Sequence, residues 1–173
     1  NSTLGGTTVN TVAGAAVNLA LGNNVEANQA AVRMENSTLK GGAVNTVAGA
    51  AANLALGSGT RANQGAVRMD NSPVKGSVTN TVAGAAANLA LGSGAEANQA
   101  SAVLENTTVG GSINNRVTGA AVNLALGGGA VANQAAVKAE NSDVKGSITN
   151  KVDGVGVNLA LGGEAHANQG ATE

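Results

Sequence analysis

Side chains that could carry enzymatic chemistry are few and scattered in this sequence. The single histidine, His166, stands where equivalent segments carry Glu26, Arg61, Glu96 and Val131, and so reads as a turn-tip residue rather than a ligand or base. Acidic residues do not pair at inward positions, which gives no support to two-carboxylate catalysis. Serines and threonines are plentiful, but no base stands ready to activate them. With no cysteine and one histidine, disulfides, thiol chemistry and zinc sites are excluded. Gly-Ser-Gly at 57–59 and 92–94 is not followed by the Gly-Lys-Ser/Thr of a phosphate loop, and the calcium-binding nonapeptide is absent. Asn-x-Ser/Thr occurs at Asn1, Asn36 and Asn106 but is broken at Asn71 and Asn141. No catalytic residue, metal, cofactor or small-molecule substrate is expected.

What recurs at fixed spacing is the carboxamide. Asn10, Asn45, Asn80, Asn115 and Asn150 lie 35 residues apart, as do Asn18, Asn53, Asn88, Asn123 and Asn158. The same interval separates Asn28, Asn63, Asn98, Asn133 and Asn168, and their neighbours Gln29, Gln64, Gln99, Gln134 and Gln169. A primary amide holds both an acceptor and two donors. Buried alone it costs a few kcal/mol. Stacked on identical amides it satisfies itself, each carbonyl accepting from the NH₂ one level away. This pattern therefore points to ladders of side-chain hydrogen bonds. The competing reading places Asn10, Asn18 and their equivalents at left-handed turn positions.

The elements that must hold such ladders follow from the repeat. Units run 1–35, 36–70, 71–105, 106–140 and 141–173, contiguous over the single 173-residue domain, and thirteen unit positions are identical in all five. From unit position 4 to 18 the even positions are fixed while the odd ones drift and carry Lys40, Lys75, Arg116, Lys151 and Asp153. That alternation predicts a strand with one buried side. Gly at position 14 marks a corner, because so long a strand is unusual in a compact domain. A second strand is expected over 28–34, with turns over 22–26 and 1–3. A helical repeat is the alternative, but Gly or Asn at positions 6, 10, 14, 18, 22 and 28 leaves no uninterrupted stretch long enough.

One 35-residue unit cannot bury its inner face alone. Stacked as parallel rungs about 4.8 Å apart, five units can. The expected fold is therefore all-β, a parallel cross-β solenoid of five rungs, each of three or four strands, advancing roughly 24 Å per chain. A half-unit periodicity would instead give about ten rungs. Leu19, Leu54, Leu89, Leu124 and Leu159, with Leu21, Leu56, Leu91, Leu126 and Leu161, are expected to supply the apolar centre. The acidic column Glu35, Asp70, Glu105 and Glu140 should run beside the basic column Arg33, Arg68 and Lys138, each offsetting the other's self-repulsion.

Composition narrows the function. There are no aromatic residues, 11% are charged and the net charge is −1, so no basic patch for nucleic acid exists. No apolar run is long enough to span a membrane as a helix. The sequence starts at Asn1 with no leader and reads as a mature or excised segment.

At Val17-Asn-Leu-Ala-Leu-Gly22 followed by Ala27-Asn-Gln29, and at the same places in every unit, the chain resembles the repeats of Fap-type, curli-like functional amyloid subunits of pseudomonads. The resemblance implies a secreted bacterial subunit that polymerises into extracellular biofilm fibres, its partner being further copies of itself. Leu91-Gly-Ser-Gly-Ala-Glu-Ala-Asn98 also resembles head repeats of trimeric autotransporter adhesins, which form β-rolls. An ice-binding solenoid would need a regular threonine array, and position 11 offers only Thr11, Thr46 and Thr81. Both end units keep the fixed residues, which favours head-to-tail assembly over closure.

Overall fold

The computed structural model describes residues 2–170 and 172, and every regular element in it is a strand. Each repeat makes one rung. The long strand of the rung is Ala43–Leu56, Val78–Leu91, Ile113–Leu126 or Ile148–Leu161; in the first rung it is split into Thr8–Ala13 and Ala16–Leu21. Behind it follow a four-residue strand such as Glu96–Gln99, and another such as Ala102–Glu105. A two-residue strand such as Thr108–Val109 leads into the next rung.

All ladders are parallel, and each residue pairs with its equivalent one repeat away, as Asn80 pairs with Asn45 on one side and Asn115 on the other. The chain is thus a β-solenoid of five turns with a 35-residue rung. The half-unit periodicity is excluded by that pairing offset.

Gly at position 14 bends the long strand without ending it. Gly84 has φ +102, and a Cβ there would lie 2.6 Å from the Gly49 carbonyl oxygen of the adjacent rung. Residues 84 and 85 both face outward at this bend, after which alternation resumes with Ala86 inside. The second expected strand, 28–34, is two strands. Ala30, Ala100 and Ala135 take φ of 45–46°, and this left-handed residue turns a corner between Glu96–Gln99 and Ala102–Glu105 in the third rung. The turn expected over 22–26 stops one residue short, since position 26 opens the strand after it. Asn36, Asn71, Asn106 and Asn141, at position 1, occupy the left-handed turn sites, φ 45–48°.

The core is not where leucine was expected. Leu19, Leu21, Leu159 and Leu161 are 55%, 63%, 39% and 52% exposed. Leu54, Leu56, Leu89, Leu91, Leu124 and Leu126 are only half-buried. Strand alternation explains the correction: with Asn88 and Ala90 inside, Leu89 and Leu91 must point out. The centre is built instead from even positions of the long strand and the facing strands, in three apolar sectors. Leu39, Met69, Val74, Val78, Leu104, Val109 and Ile113 form the largest. Val47, Val82 and Val117 with Ala86 and Ala121 form the second. The third is alanine on alanine, Ala55, Ala90 and Ala125 against Ala62, Ala97 and Ala132. Methyl-sized side chains there let the two walls approach closely enough for Asn88 to reach across.

Candidate amide-ladder site

Between the apolar sectors run the amide columns. Asn10 donates to Asn45 Oδ1 at 3.0 Å, Asn45 to Asn80 at 2.9 Å, Asn80 to Asn115 at 2.9 Å and Asn115 to Asn150 at 3.0 Å. The second proton of each crosses to a backbone carbonyl of the opposite wall: Ala31, Ala66, Ser101 and Ala136. Asn53 donates to Asn88, Asn88 to Asn123 and Asn123 to Asn158 at 2.8–3.0 Å. Asn88 also reaches the carbonyls of Ala62 and Asn98. These amides tie the walls together as well as the rungs. Asn45, Asn80, Asn88, Asn115 and Asn123 are 0–1% exposed, so their pairing offsets a desolvation cost of about 1–3 kcal/mol per polar group. In the first rung Asn18 donates to the Asn28 carbonyl, and the buried Asn53 Oδ1 has no partner.

On the facing wall the direction reverses. Asn63 donates back to Asn28 Oδ1 at 2.8 Å, Asn98 to Asn63 and Asn133 to Asn98 at 2.9 Å, and Asn168 to Asn133 at 3.1 Å. Gln64 donates to Gln29 at 2.8 Å, Gln99 to Gln64 at 2.8 Å, Gln134 to Gln99 at 2.7 Å and Gln169 to Gln134 at 3.1 Å. Long-strand ladders thus point their N–H groups toward the last rung, and the facing ladders toward the first. Each end of the solenoid presents both signs. At the first rung, Asn10 Oδ1 and Asn18 Oδ1 accept nothing, and Gln29 Nε2 donates to nothing, among the described residues. At the last, again among the described residues, Asn168 Oδ1 and Gln169 Oε1 accept nothing, and Asn158 lacks the ladder acceptor its equivalents have. Set unit five on unit one of another copy, and donors meet acceptors in the Asn18, Asn28 and Gln29 columns; in the Asn10 column the last amide, Asn150, donates to Thr172 Oγ1 at 3.0 Å.

The charges form a seven-membered chain over three rungs. Arg33 pairs with Glu35 and Glu26, Arg61 bridges Glu26 (3.3 Å) and Glu96 (2.7 Å), and Arg68 bridges Glu96 (3.1 Å) and Glu105 (3.0 Å). Burial works against the Glu26 carboxylate, yet the hydrogen bond and charge of Arg33, with help from Asn28 and Arg61, hold its pKa below the ordinary 4.5. Columns 33 and 35 lie side by side as expected. Position 26 was missed as a participant: its sign alternation, Glu26, Arg61, Glu96, is legible in the sequence once the position is placed on a strand rather than a turn tip. His166 begins the last such strand, exposed and pairing with Val131 along the backbone.

Thr11, Thr46 and Thr81 do align in one column, which continues as Arg116 and Lys151, both ion-paired to Asp153. Among the described residues no group of three or more His, Cys, Asp or Glu is placed to hold a metal ion, and no helix is long and apolar enough to cross a membrane. Comparison of the chain with protein-family models, with curated proteins and with solved structures finds no match.

Proposed function

We propose that the protein is a structural subunit that polymerises head to tail, unit five of one copy stacking on unit one of the next, into an extracellular fibre of the bacterial biofilm type. The observation that carries this reading is the opposed polarity of the two sets of amide ladders. Head-to-head contact would set Asn10 Oδ1 against Asn10 Oδ1 and leave the Gln29 N–H groups facing each other. Head-to-tail contact continues the Asn18, Asn28 and Gln29 ladders and the parallel backbone pairing with them. Such a contact is heterologous and does not close, so it extends without limit.

Glycine at position 6 supplies a test. A Cβ on Gly76 would lie 2.7 Å from backbone atoms of Gly41 and Gly42 in the preceding rung, whereas a Cβ on Gly6 meets nothing within 4 Å. Neither residue has φ in the left-handed range. Gly6→Ala should therefore leave the single chain folded and obstruct only the arriving unit five. The native chain should give long unbranched filaments with a meridional reflection at about 4.8 Å, and Gly6→Ala should remain folded but fail to elongate. A native chain that stays monomeric, or forms only closed trimers, sinks the reading and favours the adhesin-like alternative.

A further inference from the structure

We infer that the outward face of the long-strand sheet, residues 15–21 and their equivalents, is a lateral pairing surface for a second copy of this chain, with the two solenoids side by side and pointing the same way. The inference goes beyond end-to-end stacking and rests on a different part of the molecule. At unit positions 15, 17, 19 and 21 all five rungs carry only Ala, Val or Leu. These side chains face solvent: Val17 is 82% exposed, Val155 72% and Leu21 63%. Five strands about 4.8 Å apart, each contributing seven residues at about 3.3 Å, make a patch of roughly 550 Å². That is at the top of what a monomer leaves uncovered. Two such patches would bury roughly 1,100 Å², enough for a specific interface.

The shape of the patch selects the occupant. Across the sheet it is a step. Positions 15 and 17 in the second and third rungs are alanine, and a shallow trough opens there, lined by Ala50, Ala52, Ala85 and Ala87. Positions 19 and 21 are leucine in every rung and stand as a ridge beside it. A two-fold axis parallel to the solenoid axis sets the ridge of each copy in the trough of the other, Leu91 over Ala85 and Leu89 over Ala87. A two-fold along the strands would instead oppose ridge to ridge and leave both troughs open. Only the first arrangement is self-complementary, and it is isologous, so one contact satisfies both copies. It also keeps both solenoids parallel, so every further subunit added to either end extends the same seam.

Two measurements test this. Filaments of the native chain should weigh two chains per roughly 24 Å of length by mass-per-length microscopy, and Ala87→Glu filaments half that, with the axial reflection unchanged. If the native chain does not elongate, sedimentation of the soluble protein takes the place of this measurement: a dimer that Ala87→Glu converts to monomer supports the pairing, and a native monomer overturns it. Native filaments of one chain per 24 Å overturn it while leaving end-to-end stacking intact. Because the chain has no cysteine, Leu91→Cys and Ala85→Cys chains can be treated with a short bis-maleimide. Mixed chains should cross-link and each alone should not. Efficient cross-linking of Leu91→Cys alone, or none in the mixture, overturns the assignment.

Discussion

Asn80 gives one proton to Asn115 Oδ1 at 2.9 Å and the other to the Ser101 carbonyl at 3.0 Å, while its own Oδ1 accepts from Asn45 at 2.9 Å. One fully buried side chain thus holds three rungs and both walls. Asn80→Leu removes all three bonds and leaves the Asn45 N–H and the Asn115 Oδ1 unpaired, at about 1–3 kcal/mol each, while the Ser101 carbonyl keeps the Val67 N–H at 2.9 Å. Thr81→Leu, one residue on and facing outward, should stay within about 1 kcal/mol. Urea denaturation of the two variants compares them. Equal losses would mean that the ladder adds nothing over an ordinary surface position.

The sequence makes the ladders legible because an amide has little reason to recur at an inward parity unless something pairs it. The same parity, followed two residues further, places Leu19 and Leu21 outside. Residue type argued for a leucine core and alternation argued against it, and alternation prevailed because a leucine column opposite Ala97 would hold the walls too far apart for Asn88 to reach the Ala62 carbonyl. The corner at Ala30, Ala100 and Ala135 leaves little trace, since alanine has no preference for left-handed φ. Only Gly65 and Gly170 at the same position hint at it. The reversed polarity of the Asn28 and Gln29 columns has no sequence signature at all, being set by which way each amide turns.

Where the core lies is testable with leucine itself. Leu104 is fully buried among Met69, Val109 and Ile113, and Leu104→Ala should cost about 2–5 kcal/mol. Leu89→Ala, on the outer face, should cost the isolated chain less than about 1 kcal/mol. Thermal melts of single chains, held unpolymerised by Gly6→Ala and unpaired by Ala87→Glu, give the comparison. A larger loss at Leu89 would return the leucine columns to the core.

The charge chain predicts an acid limb. The folded pKa of Glu26 is lowered, so its contribution is fully present above the unfolded value near 4.5 and is lost as pH falls through the folded value. Stability should therefore decline below about pH 4.5. Glu26→Gln should flatten the decline, and added salt should reduce it wherever the pairs reach solvent. Denaturation midpoints between about pH 3 and 6 measure this. An identical acid limb in Glu26→Gln would show that the Arg33 and Arg61 contacts contribute nothing.

Gln29 offers a sharper test of polar growth than a steric block does. Its Oε1 already accepts from Gln64 at 2.8 Å, and its Nε2 donates to nothing among the described residues. Gln29→Glu keeps the internal acceptor and replaces the outward donor with a second acceptor. In a growing fibre that oxygen would face Gln169 Oε1 of the arriving copy, where a hydrogen bond would otherwise form. Loss of one such bond with repulsion in its place exceeds about 1.4 kcal/mol, a tenfold effect on elongation. Protonation supplies the missing donor, so elongation should recover as pH falls through the pKa of this carboxyl, which burial at the Gln29 site pushes above the ordinary glutamate value of about 4.3. The Gly6→Ala block, being steric, should not recover there. Elongation rates of both variants against the native chain, at neutral pH and near pH 3.5, separate the two behaviours. If Gln29→Glu elongates normally at neutral pH, the facing ladders do not continue from one molecule into the next.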